Sequence, residues 1–338
     1  MTRANRGGVL VALGLAPVLG AAESPMSYLR TFGPAGDPAT ELGWGLGIVS
    51  ILVMVVITVL VVAAIAKRRS PASSARELTV QRDEGGLSWI YIGVGVSTAV
   101  LIACAVWTMF TVAAVAMPAH AEDMTIRVTA SQWWWNVRYE NDDASQVFDA
   151  PNEIHIPVGR PVRVELSSTD VIHSWWIPQL AGKMDVIPGQ TNVTWLQADK
   201  AGVYRGQCGE YCGAQHAHMA MYVVADPPRD YAAWAERQRA AASPGLQAAL
   251  LRGQQTFVNN CGACHAVRGT AAGGILGPDL THLKSRQTIA AGLLPNTPGN
   301  LSAWIANAQA LKPGTRMPTM ALSGSDLSAI VAYLDTLN

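Results

Sequence analysis

The sequence predicts a multidomain membrane protein: a two-helix transmembrane hairpin, then a β-sandwich, then a small all-α domain. Three observations carry this. Charged residues make up 14% of the 338 residues and hydrophobic ones 50%, whereas about 25% charged is usual for a soluble chain. Two stretches, residues 42–66 and 87–116, carry no charge and are long enough to cross a bilayer with some tilt. After Glu122 the pattern turns to short runs of β-branched and aromatic residues, and after Leu246 to helical spacing. The formal net charge is zero, with no basic patch, which excludes the footprint of a nucleic-acid binder.

At the N-terminus, Arg3 and Arg6 precede an apolar run over 7–19, and small Gly20 and Ala22 follow. That is the pattern of a secretory signal, residues 1–22. The hairpin occupies 42–117, with spans over about 42–66 and 88–113, and Trp89, Tyr91 and Trp107 as interfacial anchors. The loop between the spans carries Lys67, Arg68, Arg69, Arg76 and Arg82. The positive-inside rule places it in the cytoplasm, and the mature N-terminus and everything after Ala121 outside. Cys104, inside the second span, reads as a small apolar residue.

Residues 122–226 form the sandwich. "MTIRVTASQWWWNVRYE", "NEIHIPVGRPVRVELSS", "NVTWLQ", "GVYRGQ" and "MAMYVVAD" read as short strands, the second as two strands about a turn. Residues 227–245 turn helical and end in a Ser243-Pro244-Gly245 linker. Residues 246–338 suit a small helical domain whose last helix has Ser325 as its N-cap and Asp326 in its first turn.

Four cysteines lie in the exported part as two close pairs, and two disulfides are the plain reading. The neighbours argue otherwise. "CGACH" at 261–265 is a c-type haem attachment site. Cys261 and Cys264 reach the two vinyl groups of one porphyrin, and His265 comes up under the iron. Downstream, "KPGTRMPTMALSG" offers Met317 and Met320. A Met on a loop before a Pro, ahead of a terminal helix, resembles the axial-ligand segment of class I cytochromes c. "LGPDLTHL" resembles that family's proximal loop, in which the carbonyl matching Pro278 accepts a hydrogen bond from the proximal imidazole. The resemblance assigns the iron to His265 and Met317, with Met320 as the first alternative and His282 as a second, read rather as a solvated loop residue.

"CGEYCGAQHAHM" at 208–219 holds Cys208, Cys212, His216 and Met219. Two Cys and two His are a common zinc set. A thioether suits copper, and a late loop of a small sandwich is where cupredoxins keep their ligands. Upstream lies His173 in "DVIHSWWIP". Two His, one Cys and one Met make a blue-copper site; the second Cys lets two sulfurs bridge two coppers that share one electron.

Over roughly 42–234 the chain resembles subunit II of the haem–copper cytochrome c oxidases, on "QWWWNVRYE", "DVIHSWWIP", "DVIPGQ" and "GVYRGQCGEYCGAQHAHM". The sandwich is then cupredoxin-like, and Cys-x-Glu-x-Cys-x-x-x-His-x-x-Met is that family's binuclear CuA motif. The resemblance implies that Cys208 and Cys212 bridge two coppers. His173 and His216 bind one each, Met219 is the weak ligand of one and the Glu210 carbonyl that of the other. The Glu210 side chain would reach a magnesium ion at the junction with subunit I. Trp133 matches the family's exposed residue through which electrons come in, although a fused haem domain offers a second route. Tyr139 and Trp175 read as core; His218, His155 and His120 read as surface or packing residues. The family's Glu before the second span is here Gly86, and nearby Glu84 is shifted in register.

A cytochrome c domain behind the CuA domain resembles the caa-type bacterial oxidases. The implied protein is subunit II of an oxygen-reducing, proton-translocating cytochrome c oxidase, with one CuA centre and one covalent haem c. The oxygen site would lie in another subunit. Its partners would be subunit I, subunit III, a c-type cytochrome donor and membrane lipid, in a bacterial inner membrane. Two other functions use the same residues: electron input to a nitric oxide reductase, and a membrane-tethered redox carrier or copper-delivery protein.

Overall fold

The computed structural model describes residues 24–67, 86–118, 124–242 and 247–338. The signal segment, most of the basic loop, Glu84, His120 and the Ser243-Pro244-Gly245 linker lie outside the described residues.

Helices α1 (Asp37–Ala66) and α2 (Gly86–Ala116) pair as a hairpin. Their mean hydropathies are 3.3 and 2.3 over the most apolar windows, and their apolar side chains face outward. Among the described residues most of these side chains find no core, and both helices are long and apolar enough to cross a membrane. Trp107 of α2 lies over Gly45 of α1, where a Cβ would come within 2.2 Å of the indole. The Trp195 indole donates to Val115 O at 2.9 Å, fastening the end of α2 to the sandwich.

The sandwich has ten strands: β1 (Met124–Ser131), β2 (Trp134–Glu140), β3 (Phe148–Asp149), β4 (Glu153–Pro157), β5 (Val162–Ser168), β6 (His173–Trp175), β7 (Met184–Val186), β8 (Asn192–Leu196), β9 (Gly202–Gln207) and β10 (Ala220–Asp226). One sheet runs β3-β2-β1-β5-β8, a second β4-β10-β9, and β6 pairs with β7. Alternate residues turn inward, as a period of two requires: Ile126, Val128 and Ala130 of β1 and Val162, Val164 and Leu166 of β5 are fully buried. The two strands of "NEIHIPVGRPVRVELSS" are not partners. The chain turns at Gly159 (φ 77°) and crosses between sheets, so β4 pairs with β10 and β5 with β1 and β8.

Helix α3 (Pro228–Arg239) leads to the C-terminal domain of α4 (Ala248–Cys261), the small pair β11 (Thr288–Ile289) and β12 (Leu294–Pro295), α5 (Pro298–Ala306), α6 (Ala308–Leu311) and α7 (Gly324–Leu334). The N-cap of α7 is Ser323, not Ser325. Its hydroxyl accepts from the Asp326 N–H at 3.1 Å. Both serines suit a cap by type; the helix begins at Gly324, one residue before Ser325, so Ser325 is already inside it. The core of this domain gathers Phe257, Leu283, Leu301, Ile305, Ile330 and Tyr333. The fold class is thus the one the sequence predicts: an apolar helical hairpin, a cupredoxin-like sandwich, and a helical cytochrome c-like domain.

Candidate metal and haem centres

Strands β9 and β10 flank the cysteine loop and pair with each other, Gln207 opposite Ala220. The neck of the loop is shut by Cys208 N–H donating to Met219 O at 2.9 Å. The segment is therefore a closed loop standing at one end of the sandwich, and β6 brings His173 up beside it. The donors converge. The two sulfurs of Cys208 and Cys212 stand 3.7 Å apart, far beyond a disulfide bond of about 2.05 Å. Each sulfur has its own imidazole: His173 Nδ1 is 3.8 Å from Cys208 Sγ, and His216 Nδ1 is 3.6 Å from Cys212 Sγ. Met219 Sδ lies 3.8 Å from Cys212 Sγ, and Glu210 O 3.3 Å from Cys208 Sγ. Cys208, Cys212, His173 and Met219 are buried.

The electrostatics suit a metal. The hydrogen bond between the two sulfurs holds the Cys208 pKa well below the usual thiol range while burial opposes it. Cys212, facing that thiolate, is raised, so the pair keeps one proton that a metal would displace. Burial works to lower the His173 pKa, but the hydrogen bonds to Cys208 and Asp170 outweigh it and raise it. Asp170 Oδ1 sits 2.9 Å from His173 Nε2, so the Nε2 proton is held there and Nδ1 is left facing the sulfurs. Asp170 stands three residues before His173 in the sequence, a local signal for this orienting pair. The donor set fits a copper pair better than zinc. It has six members including a buried thioether, whereas structural zinc takes four thiolate, imidazole or carboxylate donors in a tetrahedron. His218 is exposed and outside the cluster; its Nδ1 is 2.7 Å from Gln215 Oε1.

Cys261 and Cys264 close α4 and the turn after it. With His265, Met317 and Met320 they line a cavity of about 340 Å³. His265 Nδ1 donates to Pro278 O at 2.8 Å, which turns Nε2 toward the cavity. Burial lowers the pKa of His265, which keeps the imidazole neutral as an iron ligand must be. Gly277 was missed by sequence reasoning. A Cβ there would come within 2.6 Å of His265 Cε1, so the backbone lies against the ring and only hydrogen fits. The residues present therefore fit a covalent haem. His282 is not a solvated loop residue: it is 3% exposed, with Nδ1 at 2.6 Å from Asn338 O and Nε2 at 3.0 Å from Ala240 O. His155 is also mostly buried, stacked on Trp234 with ring centroids 4.1 Å apart.

Trp133 is not on the surface. It is 7% exposed, its indole donates to Cys212 O at 3.0 Å, and it forms part of the cavity wall of the helical domain. The C-terminal domain covers the face that resemblance had left open. Tyr139 and Trp175 are core residues, as expected.

An apolar hairpin, a sandwich with clustered sulfur and imidazole donors, and a helical domain with a haem-attachment cavity define a membrane-anchored protein with a copper-type and a haem c-type site. Residues 124–226 match the family model described as "Cytochrome C oxidase subunit II, periplasmic domain", and residues 250–338 match that of cytochrome c. A cytochrome c oxidase subunit 2 from Alkalihalophilus pseudofirmus is 42% identical over 214 residues, 63% of this chain. The match spans 60% of that relative's length. A cytochrome c oxidase subunit 2 from Bacillus subtilis is 27% identical over 97% of each chain. The solved periplasmic domain of subunit II of cytochrome oxidase from Bradyrhizobium japonicum is 31% identical, covering 36% of this chain and 97% of that one, with a TM-score of 0.34.

Proposed function

We propose that this chain is the electron-input subunit of a terminal cytochrome c oxidase, of the type that carries its own cytochrome c. It takes electrons from a c-type cytochrome donor and delivers them to a haem–copper subunit I, where oxygen is reduced and protons are translocated. It sits in a bacterial inner membrane by two spans, with the sandwich and the haem domain on the periplasmic side. Subunit I, subunit III and lipid are its partners. The observation that carries the reading is the paired arrangement of the cysteine loop: two unbonded thiols 3.7 Å apart, each with one imidazole.

Cys208 and Cys212 would bridge a binuclear copper, with His173, His216, Met219 and the Glu210 carbonyl completing it. The Glu210 side chain is the candidate for a magnesium ion. Cys261 and Cys264 would hold one haem c, with His265 and Met317 on its iron. When bound, these groups supply two one-electron carriers. The chain's own residues do the rest. The buried walls exclude water, Asp170 orients His173, and the Pro278 carbonyl orients His265. Preset ligands that move little on a change of charge keep the reorganisation cost of electron transfer low. With Trp133 covered, the donor docks on the haem domain rather than on the sandwich.

Copper EPR on the purified full-length chain tests the metal assignment. One unpaired electron shared over two copper nuclei is expected; a mononuclear copper spectrum, or zinc by metal analysis, would sink it. In the assembled complex, oxygen uptake with reduced cytochrome c separates this function from nitric oxide consumption.

A further inference from the structure

Lysine is seldom fully buried unless its charge is met. Lys312 is 2% exposed. Its Nζ donates to Trp133 O at 2.7 Å, His218 O at 2.8 Å and Ala290 O at 3.0 Å. Three N–H bonds thus meet three carbonyl oxygens from three separate stretches of chain. Trp133 belongs to the sandwich and holds the Cys212 carbonyl through its indole. His218 lies in the cysteine loop between His216 and Met219. Ala290 belongs to the helical domain, beside β11. An ammonium presents three donors in this geometry, against burial that pulls the Lys312 pKa down to about 7, and no carboxylate competes for them among the bonds it makes.

The rest of the segment after Lys312 is held to the same face. The Gln215 side chain donates to Pro313 O at 2.8 Å. Arg316 pairs with Asp170 Oδ2 at 3.2 Å, on the carboxylate whose other oxygen faces His173. Residues 312–317 therefore run along the cysteine loop and end at Met317, on the haem cavity. Further along the boundary, Ala220 N–H donates to Ala291 O at 3.0 Å and Gln287 N–H to Glu153 Oε2 at 2.9 Å.

We propose that Lys312 is a positioning residue that fixes the helical domain on the cysteine loop, so that the haem cavity and the copper donors keep one set separation within the same chain. Each of its three acceptors is needed for this. One is on the strand corner below Cys212, one is within the donor loop, and one is on the domain that docks. Because the bonds are buried, salt screens them little, so the docked arrangement persists at ionic strengths that would disperse a surface ion pair. The consequence for electron exchange between the sites rests on the proposed function; the docking itself does not.

The test uses the full-length chain loaded with copper and haem, and the variant Lys312→Met, which keeps the length and loses the donors. Hydrogen exchange is followed at the Ala220 and Gln287 amides, which bond across the boundary, and at core amides within each domain. The expected result is exchange faster by about tenfold or more at the two boundary amides, with core amides unchanged. Re-equilibration of an electron between haem and copper after flash reduction of the haem should slow by about tenfold or more, while the copper EPR and haem spectra stay as in the parent. Lys312→Gln, which keeps two donors, should fall between. Unchanged boundary exchange in a variant with intact spectra overturns the proposal, and so does faster exchange with an unchanged electron-equilibration rate. Should Lys312→Met fail to fold, a Lys312→Gln protein with parental boundary exchange and rate overturns it equally. If the parent itself shows no copper pair, the proposed function fails, while the exchange measurement still judges the docking.

Discussion

At the scale of single residues, His155 is a packing residue, stacked on Trp234, whose polar partners the sequence did not reveal. His155 sits between two carboxylates, with Nδ1 at 2.6 Å from Asp226 and Nε2 at 3.3 Å from Glu153. Burial alone would lower its pKa, but the hydrogen bonds to Asp226 and Glu153 outweigh burial and raise it above 6.5. A raised folded-state pKa means that the folded chain binds the proton more tightly than the unfolded one. The stabilisation is complete below about 6.5 and is lost as pH rises through the folded value. His155→Gln should therefore lower the melting midpoint most at mildly acid pH, and the gap from the parent should narrow above neutrality. A gap that is constant or widens from pH 6 to pH 9 would rule this out. The cluster was invisible in sequence because Asp226 is 71 residues from His155 and reaches it only through the parallel pairing of β4 with β10. The copper donors were legible because most of them lie within one loop of fixed spacing.

At the scale of elements, the tightest contact in the haem domain is the crossing of α4 and α7. Gly253 of α4 lies so close that a Cβ would be 2.2 Å from Ala329 O and 2.8 Å from Tyr333 Cβ of α7. The first neighbour is backbone and cannot yield, so a side chain must drive the helices apart. Gly253→Val should destabilise this domain by about 2 kcal/mol or more, read as a lower denaturant midpoint. A midpoint within error of the parent would show that the crossing tolerates the methyl groups. The helical spacing of both segments was plain in the sequence. That one glycine marks the crossing was not, because a glycine in a helix looks only like a weak helix former until its neighbour is known. The strand runs were equally plain, yet which strands pair was not: β4 and β5 look like a hairpin and sit in different sheets.

At the scale of the whole molecule, the sandwich carries the other two modules at opposite ends of its strands: Trp195 sits beside the start of β5, and the cysteine loop stands beyond its end. The hairpin fastens below through Trp195 to Val115 O, and the haem domain docks on the cysteine loop through Lys312, Gln215 and Arg316. The candidate copper donors come from β6 and the cysteine loop, so a bound metal ties together segments that are independent in the unfolded chain. Ligand binding to the folded state alone stabilises it by about 4 kcal/mol at a thousandfold excess over the dissociation constant. Stripping copper should thus lower the unfolding temperature of the sandwich by several degrees or more, and copper should restore it. Equal melting of the stripped and loaded chains would mean that these residues do not hold the metal in the folded state.

The sequence by itself determined the inventory: an apolar hairpin, a strand-rich domain, a donor loop and a haem-attachment motif. These are written in local periodicity and in spacings of a few residues, which hydrophobic burial and ligand geometry impose directly. The tertiary structure decided what lies next to what. It buried Trp133, turned His282 from loop to core, gave His173 its orienting Asp170, and made a lysine 179 residues from Trp133 the joint between the two sites. Hydrogen bonds that satisfy buried polar groups depend on where distant segments come to rest, and no local pattern in the chain records that position.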